Sequence, residues 1–374
     1  MHYLVWGYYG FDNLGDELML GVIAARIRER DPGATVSVRC LEAPDIRGID
    51  PFPVEQMIAG RSPLMLIPYM LRIMKKLMEI DVLVIGGGTL FLDKGRHNAS
   101  MLVLAVICQA ARLFGKRIVI IGAGIDTLAL GINRLYLKLI LSASWYACFR
   151  DDHSYNIARS LGTRTQIQRG SDILFDPSFM GRFDTSHLGT HDRVVLSFSD
   201  HFRTWHSPER REQLSARIRT LLGTVRERFP GKQIILCAFQ QRYGEQDLEY
   251  LRSIMTGLPG KDPASEKSVE LLVPRSDKDI QDLFGNAAFV IGMRFHALVL
   301  SAIFGRPFLG IDIETKIREL CKDFSMPSIG IDEFLARGID AEDLDRLMSS
   351  DPSREHLDRQ CRLTAANFSW LEHA

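Results

Sequence analysis

The 374-residue chain has no excess charge of either sign, because 46 Lys and Arg balance 46 Asp and Glu. That excludes the global basic field that draws proteins to nucleic acid by counterion release, so any anionic ligand must meet a local cluster of cations. Six cysteines (Cys40, Cys108, Cys148, Cys237, Cys321 and Cys361) fall singly, with no CxxC pair and no framework spacing. This argues against a zinc site or a disulfide scaffold and reads as a reduced, intracellular chain. The longest stretch free of Asp, Glu, Lys, Arg and His, Asn98 to Ala111, has 14 residues, short of the roughly 18 that span a bilayer as a helix. The N-terminus lacks the charged start, apolar run and small-residue cleavage site of a signal peptide, and no solenoid repeat or low-complexity tract is present. The P-loop, HExxH and GxSxG patterns are also missing, which removes the common NTPase, zincin and α/β-hydrolase routes.

What is present is a globular composition, 46% hydrophobic and 25% charged, in a length that favours two domains. Short Val/Ile/Leu runs recur, each followed by Gly and a helical pattern, which is how buried parallel strands of βα units read. The expected strands are 2–6, 36–40, 81–85, 117–121, 146–149, 193–198, 233–238, 270–273, 287–291 and 308–311. Leu20, Ile23 and Ile27 share a helical face ahead of Asp31-Pro32-Gly33. Ser207-Pro208-Glu209 reads as a helix start, with the helix ending near Pro230-Gly231. Residues 177–192 are polar, rich in turn formers and without periodicity, and read as a linker. In 351–374, Leu357, Cys361, Ala365, Phe368 and Leu371 fall at helical spacing and predict a packing helix. The expected architecture is α/β, with two doubly wound Rossmann-like domains, 1–176 and 193–350, facing a central cleft where the carboxyl ends of both sheets meet.

Several segments carry chemistry. Gly7-Tyr8-Tyr9-Gly10-Phe11-Asp12-Asn13-Leu14-Gly15-Asp16-Glu17 runs from a strand through an aromatic glycine turn into a helix start. Its glycines let a ligand approach the backbone, and exposed Tyr and Phe faces suit a sugar or a stacked ring. The plainer reading is a tight turn capped by Asp12 or Asp16. Gly86-Gly87-Gly88-Thr89 and Gly122-Ala123-Gly124 follow strands but complete no GxGxxG, since positions 91 and 127 are Phe and Thr. Asp343 and Asp345 form a DxD, yet Ala341-Glu-Asp-Leu-Asp-Arg346 reads as a solvated helix face rather than a metal-nucleotide site. The richest segment places Arg294 and His296 at a strand-to-helix turn, with Lys316 one βα unit later. Arg offers a bidentate fork for carboxylate or phosphate, Lys a point charge, and His a proton donor with an ordinary pKa of about 6.5. Arg150, at the end of Trp145-Tyr-Ala-Cys-Phe149, offers the same from the first domain; its plainer reading is a helix-start pair with Asp151.

Taken together, the segments Gly7 to Glu17, Gly86 to Thr89, Arg150-Asp-Asp-His-Ser154, Asp176-Pro177, Gly292-Met-Arg-Phe-His-Ala-Leu298 and Lys316 resemble, in order and spacing, the polysaccharide pyruvyl transferase family, over about residues 3–320. The resemblance implies a fold similar to the two-domain GT-B glycosyltransferases. It implies transfer of a pyruvyl group from phosphoenolpyruvate onto two hydroxyls of a sugar as a cyclic ketal, on a cell-surface polysaccharide or its lipid-linked precursor. By that resemblance Arg150, Arg294 and Lys316 bind phosphoenolpyruvate, which needs several cations gathered in one place. His296 is then the general acid, and Tyr8, Tyr9, Asn13, Asp16 and Glu17 serve the acceptor. Neither cofactor nor metal is expected, and exopolysaccharide biosynthesis at the cytoplasmic side of the cell envelope is the implied setting. The chain departs from the family in Asp312-Ile-Glu-Thr-Lys316, which keeps the Lys but loses an aromatic, and in Leu196-Ser-Phe-Ser-Asp-His-Phe-Arg203, where an Arg normally follows the strand directly. The competing reading is a GT-B-like glycosyltransferase in which Arg294 and Lys316 hold the diphosphate of a nucleotide sugar.

Residues 62–80 add one expectation. Arg72, Lys75, Lys76 and Glu79 share a helical face beside Leu66, Ile67, Met70, Leu71, Ile73, Met74, Leu77 and Met78. Such a basic amphipathic helix can lie on an anionic membrane surface, which would suit a lipid-linked acceptor; the alternative is a core helix with one wet edge.

Overall fold

The computed structural model describes residues 1–53, 66–93, 98–185, 189–204, 207–241, 243, 246–257 and 269–372. The chain divides into two units: Met1–Phe11, Asp16–Asp176 and Gln360–Ala374 form the first, and Asp12–Gly15 and Pro177–Arg359 the second.

The first unit is built on β1 (His2–Tyr9), β2 (Thr35–Cys40), β3 (Ile49–Pro53), β4 (Val82–Gly86), β5 (Thr89–Phe91), β6 (Arg117–Ile125), β7 (Tyr146–Phe149) and β8 (Gln166–Arg169). They pair in parallel in the order β3-β2-β1-β4-β6-β7-β8, with β5 on β6. The apolar runs dictate this, since a strand with no polar face must be covered on both sides. Leu4, Trp6, Leu83, Ile85, Ile118 and Ile120 pack in one core with the helices Leu66–Glu79, Ala99–Leu113 and Gly131–Ala143. On the opposite face Tyr3 meets Trp370 at 6.3 Å between ring centroids, and the helix Leu14–Arg30 buries Leu20, Ile23 and Ile27. In the helix Leu66–Glu79, Ile73 and Leu77 enter the core while Leu71 and Met78 remain exposed. Residues 62–65 of the expected amphipathic segment lie outside the described residues.

The second unit repeats the plan with β9 (Arg193–Ser197), β10 (Gln233–Cys237), β11 (Glu270–Leu272), β12 (Ala287–Gly292), β13 (Phe308–Asp312) and β14 (Ser328–Gly330). All are parallel, in the order β11-β10-β9-β12-β13-β14. This is the doubly wound order that reverses beside its first strand. The ten expected strands all form. Four unexpected ones, β3, β5, β8 and β14, are short and only partly buried.

Three local expectations change. The helix Pro208–Arg228 has its proline in the first turn, but the Ser207 side chain makes no capping bond. The segment expected as a linker begins with the helix Pro177–Met180, buries Phe179 and Phe183 edge to face at 5.2 Å, and pairs Arg182 with Asp277. It therefore packs as part of the second unit, apart from residues 186–188, which lie outside the described residues. At the C-terminus the helix Arg354–Thr364 and the 3-10 turns after it turn in a different stripe from the apolar one: Gln360, Thr364 and Asn367 are buried, while Leu357 and Cys361 are half-buried and Ala365 is exposed. Phe368 and Leu371 are buried as expected.

The polar stripe docks because its bonding is met. Asn367 Oδ1 accepts from Gly122 N at 2.8 Å, and Asn367 Nδ2 donates to the Ser171 carbonyl at 2.9 Å. Ser171 Oγ donates to the Gln360 carbonyl at 2.7 Å, and Thr364 Oγ1 to the Asp172 carbonyl at 3.2 Å. All six cysteines are free, and burial pushes the Cys148 and Cys321 thiols up to about 12. Among the described residues no helix is long and apolar enough to cross a membrane. Replacing Asn367 by Ala removes two buried hydrogen bonds and strands both backbone partners, a loss of about 2 to 4 kcal/mol. The expected result is a lower urea midpoint read by far-UV circular dichroism; an unchanged midpoint would mean that the C-terminal turn contributes nothing to the first unit.

Candidate active site

In a doubly wound sheet, ligands bind beyond the carboxyl ends of the strands where the order reverses. In the second unit that place lies between β9 and β12, where Ser197 pairs with Gly292 and Met293 N donates to the Ser197 carbonyl at 2.8 Å. Arg294 stands at the cap position of the helix Phe295–Ile303, and all nine helical residues are buried, His296 at 9% exposure. Arg294 is not a loose cation. Its Nε donates to Asp247 Oδ2 at 2.9 Å, its Nη2 also donates to Asp247 Oδ1, and Nη2 reaches Gln240 Oε1 at 3.3 Å. Asp247, with 0% exposure, further accepts from the backbone N–H groups of Phe239 and Gln240 at 3.1 Å. One edge of the guanidinium is thus fixed by a carboxylate that is itself fixed by backbone.

The middle of the N-terminal glycine turn belongs to this same unit. Leu14 N donates to the Phe239 carbonyl at 3.0 Å, and Asn13 forms an isolated antiparallel bridge with Gln240. Gly15 lies so close to His296 that a Cβ there would stand 1.8 Å from Nδ1. Glycine is required at this position by proximity and not by backbone torsion. The two most distinctive sequence segments therefore meet, Asn13 through Gln240 to Arg294 and Gly15 directly on the imidazole. Lys316, in the first turn of the helix Thr315–Asp323, follows β13, whose Gly310 pairs with Gly292 of β12. Its Nζ lies 2.7 Å from Glu314 Oε2.

In the first unit, Arg150 is 4% exposed at the end of β7. Nη2 donates to Thr89 Oγ1 at 2.8 Å, and carboxylate oxygens of Asp151 and Asp172 each lie 3.7 Å from its nitrogens. The guanidinium lies on Gly124, where a Cβ would stand 2.6 Å from Nη2. Asp151 also caps the helix Asp152–Ser160 through Ser154 N. The aromatic turn sorts itself: Tyr8 is 36% exposed and stacks on Phe11 at 4.0 Å, whereas Tyr9 is fully buried and donates to the Gly86 carbonyl at 2.6 Å. Burial, with Asp16 and Glu17 nearby, pushes the Tyr9 phenol well above its ordinary value, so it stays a donor. Tyr9 is thus a core strut and not an acceptor contact, because its ring has no accessible face. Glu17 Oε1 accepts from Gly10 N at 2.6 Å and holds the turn, whose Gly7 packs against the Tyr9 ring. Asp16 is buried with a carboxylate oxygen beside Gly88, on the turn that continues from Gly86 through Gly87. Asp343, of the DxD, closes a capping box with Asp340 and pairs with Arg337, and Asp345 pairs with Arg228; both are helix-face residues.

The family model described as polysaccharide pyruvyl transferase matches residues 13–315, which include Asn13 and Gly15 of the first converging segment and the whole of the second. The chain belongs to the polysaccharide pyruvyl transferase family. Membership makes it a transferase with a sugar acceptor. No curated protein matches the chain in sequence. Solved structures share the fold. UDP-GlcNAc 2-epimerase of Methanocaldococcus jannaschii superposes with a TM-score of 0.61 at 12% identity, covering 98% of this chain and 99% of that one. The Neisseria meningitidis UDP-GlcNAc 2-epimerase gives 0.57 at 11% identity, covering 100% and 98%. MurG of Acinetobacter baumannii gives 0.53 at 13%, covering 100% and 99%. The transferase thus carries two doubly wound parallel sheets of GT-B-like type.

The sequence singles out Arg150, Arg294, His296 and Lys316 as candidates but does not signal the carboxylate partners Asp247, Glu314 and Asp172. Asp247 lies in no motif, and no spacing signals that it closes on a residue 47 positions later. Gly15 was visible only as one glycine among several. Gly15→Ala must drive the His296 ring aside, which typically costs about 1 to 3 kcal/mol. Gly21→Ala, on the same helix with nothing within 4 Å of its Cβ position, should stabilise by up to about 1 kcal/mol. The check is the thermal midpoint together with the His296 ring resonances: Gly15→Ala lowers the one and moves the other, and an unmoved imidazole would refute the close packing.

Proposed function

We propose that the protein transfers the pyruvyl group of phosphoenolpyruvate onto two hydroxyls of one sugar in a polysaccharide or its lipid-linked precursor. The observation that carries this reading is the meeting of the two family segments at His296, with Gly15 against the ring and Arg294 oriented beside it at the start of a buried helix. Arg294 and Lys316 follow neighbouring strands of one sheet, and the N-terminal N–H groups of a helix favour an anion between them. Arg150 is proposed as a further donor ligand, and Tyr8, Asn13 and Asp16 as the acceptor side.

The chemistry follows from the donor. Proton delivery to the methylene carbon of the enol turns it into a methyl group and leaves a cationic centre at C2, which one sugar hydroxyl attacks with loss of its proton. Phosphate then leaves C2, and the second hydroxyl attacks the same carbon, its proton departing with phosphate. The products are a cyclic ketal and inorganic phosphate. His296 is the proposed general acid, a role worth roughly 10²- to 10⁴-fold in rate, and Asp16 is the proposed acceptor of a hydroxyl proton. A second reading, glycosyl transfer from a nucleotide sugar, draws on the fold neighbours whose names include UDP-GlcNAc. At 11–12% identity they support the fold alone.

A thermal-shift titration needs no knowledge of the acceptor. A ligand at 100 times its Kd stabilises by about 2.7 kcal/mol, and a shift is expected with phosphoenolpyruvate that Arg294→Ala abolishes and His296→Ala retains. With an acceptor in hand, His296→Ala should release phosphate about 10²- to 10⁴-fold more slowly. Stabilisation by UDP-sugars and not by phosphoenolpyruvate would replace this reading with glycosyl transfer. Glu314→Gln supplies a test in the other direction: removing the anion paired with Lys316 should tighten phosphoenolpyruvate binding by about fivefold, and weaker binding would remove Lys316 from the donor site.

A further inference from the structure

We propose that the outer face of the helices Leu66–Glu79, Ala99–Leu113 and Gly131–Ala143 docks on an anionic lipid surface. A helix that covers a sheet normally turns charged residues outward. These three turn apolar ones outward in register. Leu71 and Met78 are 65% and 59% exposed on the first, and Leu113 is 85% exposed on the second, in line with Leu102 and Val106. Leu135 and Leu139 repeat the pattern on the third. The inner faces of all three share one core, so the exposed stripes lie side by side on one layer of the first unit. Contiguous apolar surface of this kind marks an interaction site.

The layer is held as a tile. Arg112 Nη1 donates to the Ser142 carbonyl at 2.9 Å and Gln109 Nε2 to the Leu139 carbonyl at 2.7 Å, tying the second helix to the third. Lys116 Nζ donates to the Met78 carbonyl at 3.0 Å, tying the turn after the second helix to the first. Phe114 and Trp145 are exposed at this same end, with the Arg117 guanidinium 5.4 Å from the Trp145 ring centroid. Amphipathic aromatics beside cations are what a headgroup layer accommodates.

Charge decides the occupant. Residues 66–79, 99–117 and 131–145 contain eight Lys and Arg, and Glu79 is their single acid, in a chain whose total charge is zero. Lys76 is partly compensated by Asp50 at 3.1 Å and Glu79 at 3.8 Å, but Arg72, Lys75, Arg112, Arg117 and Lys138 are all exposed. A second copy of the chain meeting this face across a twofold axis would set cations against cations. Anionic headgroups match the cations and let the leucines reach the acyl boundary. The proposal is independent of the reaction at the active site.

The test is co-sedimentation of the full chain with vesicles of phosphatidylglycerol in phosphatidylcholine, against pure phosphatidylcholine, at low and high salt. The expected result is salt-sensitive recovery with the anionic vesicles. Charge is worth about fivefold per cation, so the Lys75→Glu, Lys138→Glu double variant should bind about 25-fold or more weakly. Leu113→Glu with Leu139→Glu should lose binding at either salt concentration, with circular dichroism unchanged because both side chains are solvent-facing. Wild-type protein that stays in the supernatant overturns the proposal, as does undiminished binding by the leucine variants. A concentration-dependent dimer that Leu113→Glu dissociates, without vesicle binding, would assign the face to a second copy instead.

Discussion

The reversal of strand order between β9 and β12 is the constraint on which the candidate site depends. Connections from these neighbouring strands leave toward opposite layers, so their turns part and side chains can project from both. Gly292 has no Cβ to intrude on the Ser197 carbonyl 3.2 Å from its Cβ position, and β12 lies close against β9. The helix that follows cannot slide, because all nine of its residues are buried. His296 inherits that rigidity, and the imidazole is aimed by core packing as much as by its own contacts. Gly15 then closes on it, which places a glycine requirement far away in sequence under the control of the same strand pair.

Electrostatics constrains the candidate residues of each unit in a way that counting cations does not reveal. Arg294 carries Asp247, Lys316 carries Glu314, and Arg150 lies between Asp151 and Asp172. Buried guanidinium groups need such partners, since the desolvation of a lone charge is far costlier than the pair. The consequence is that the cations act less as a reservoir of positive charge than as oriented donors. A carboxylate gripping Nε and Nη2 of Arg294 sets the plane of the fork, and a bound anion would meet a fixed edge. On the proposed reading, discrimination of an anionic ligand would come from that geometry and not from the number of cations.

The sequence discloses elements according to how completely they are buried. β4, β6, β9 and β12 are apolar throughout or nearly so, and their positions could be read directly. β3, β8 and β14 lie at sheet edges, where one flank needs no apolar cover, and Gln166-Ile-Gln-Arg169 carries no strand pattern to read. The C-terminal segment misled for the converse reason. An apolar stripe predicts its contact face, but hydrogen bonds to Gly122, Ser171 and Asp172 are available there and Gln360, Thr364 and Asn367 satisfy them. Among the candidate residues, the basic ones and His296 stand out because they interrupt apolar runs at strand ends. Asp247 does not, since a lone acid in a polar loop resembles every other one until the fold brings it to Arg294. Tyr9 was misassigned because alternation along β1 decides which of two adjacent tyrosines faces inward, and a turn motif alone does not encode that parity.

The apolar helical layer and the glycine turns occupy different parts of the first unit, and the spacing has consequences for the acceptor. In parallel βα units the helices run back against the strands, so Met78, Leu113 and Phe114 gather near the amino ends of the strands, while Gly86 to Gly88 follow a carboxyl end. β4, whose five residues end at Gly86, sets the height between those ends at about 15 Å. Lipid contact at the aromatic end alone would therefore hold the turns about 15 Å from the bilayer, within reach of sugars distal to a lipid anchor. Contact along the whole leucine face would lower them toward the headgroups and admit sugars close to the anchor. The stripes run the length of the second and third helices, from Leu102 to Leu113 and from Ile132 to Leu139, which favours the side-on arrangement. In that arrangement the proposed lipid-linked acceptor would be one whose sugar lies near its anchor, reached without extraction from the membrane.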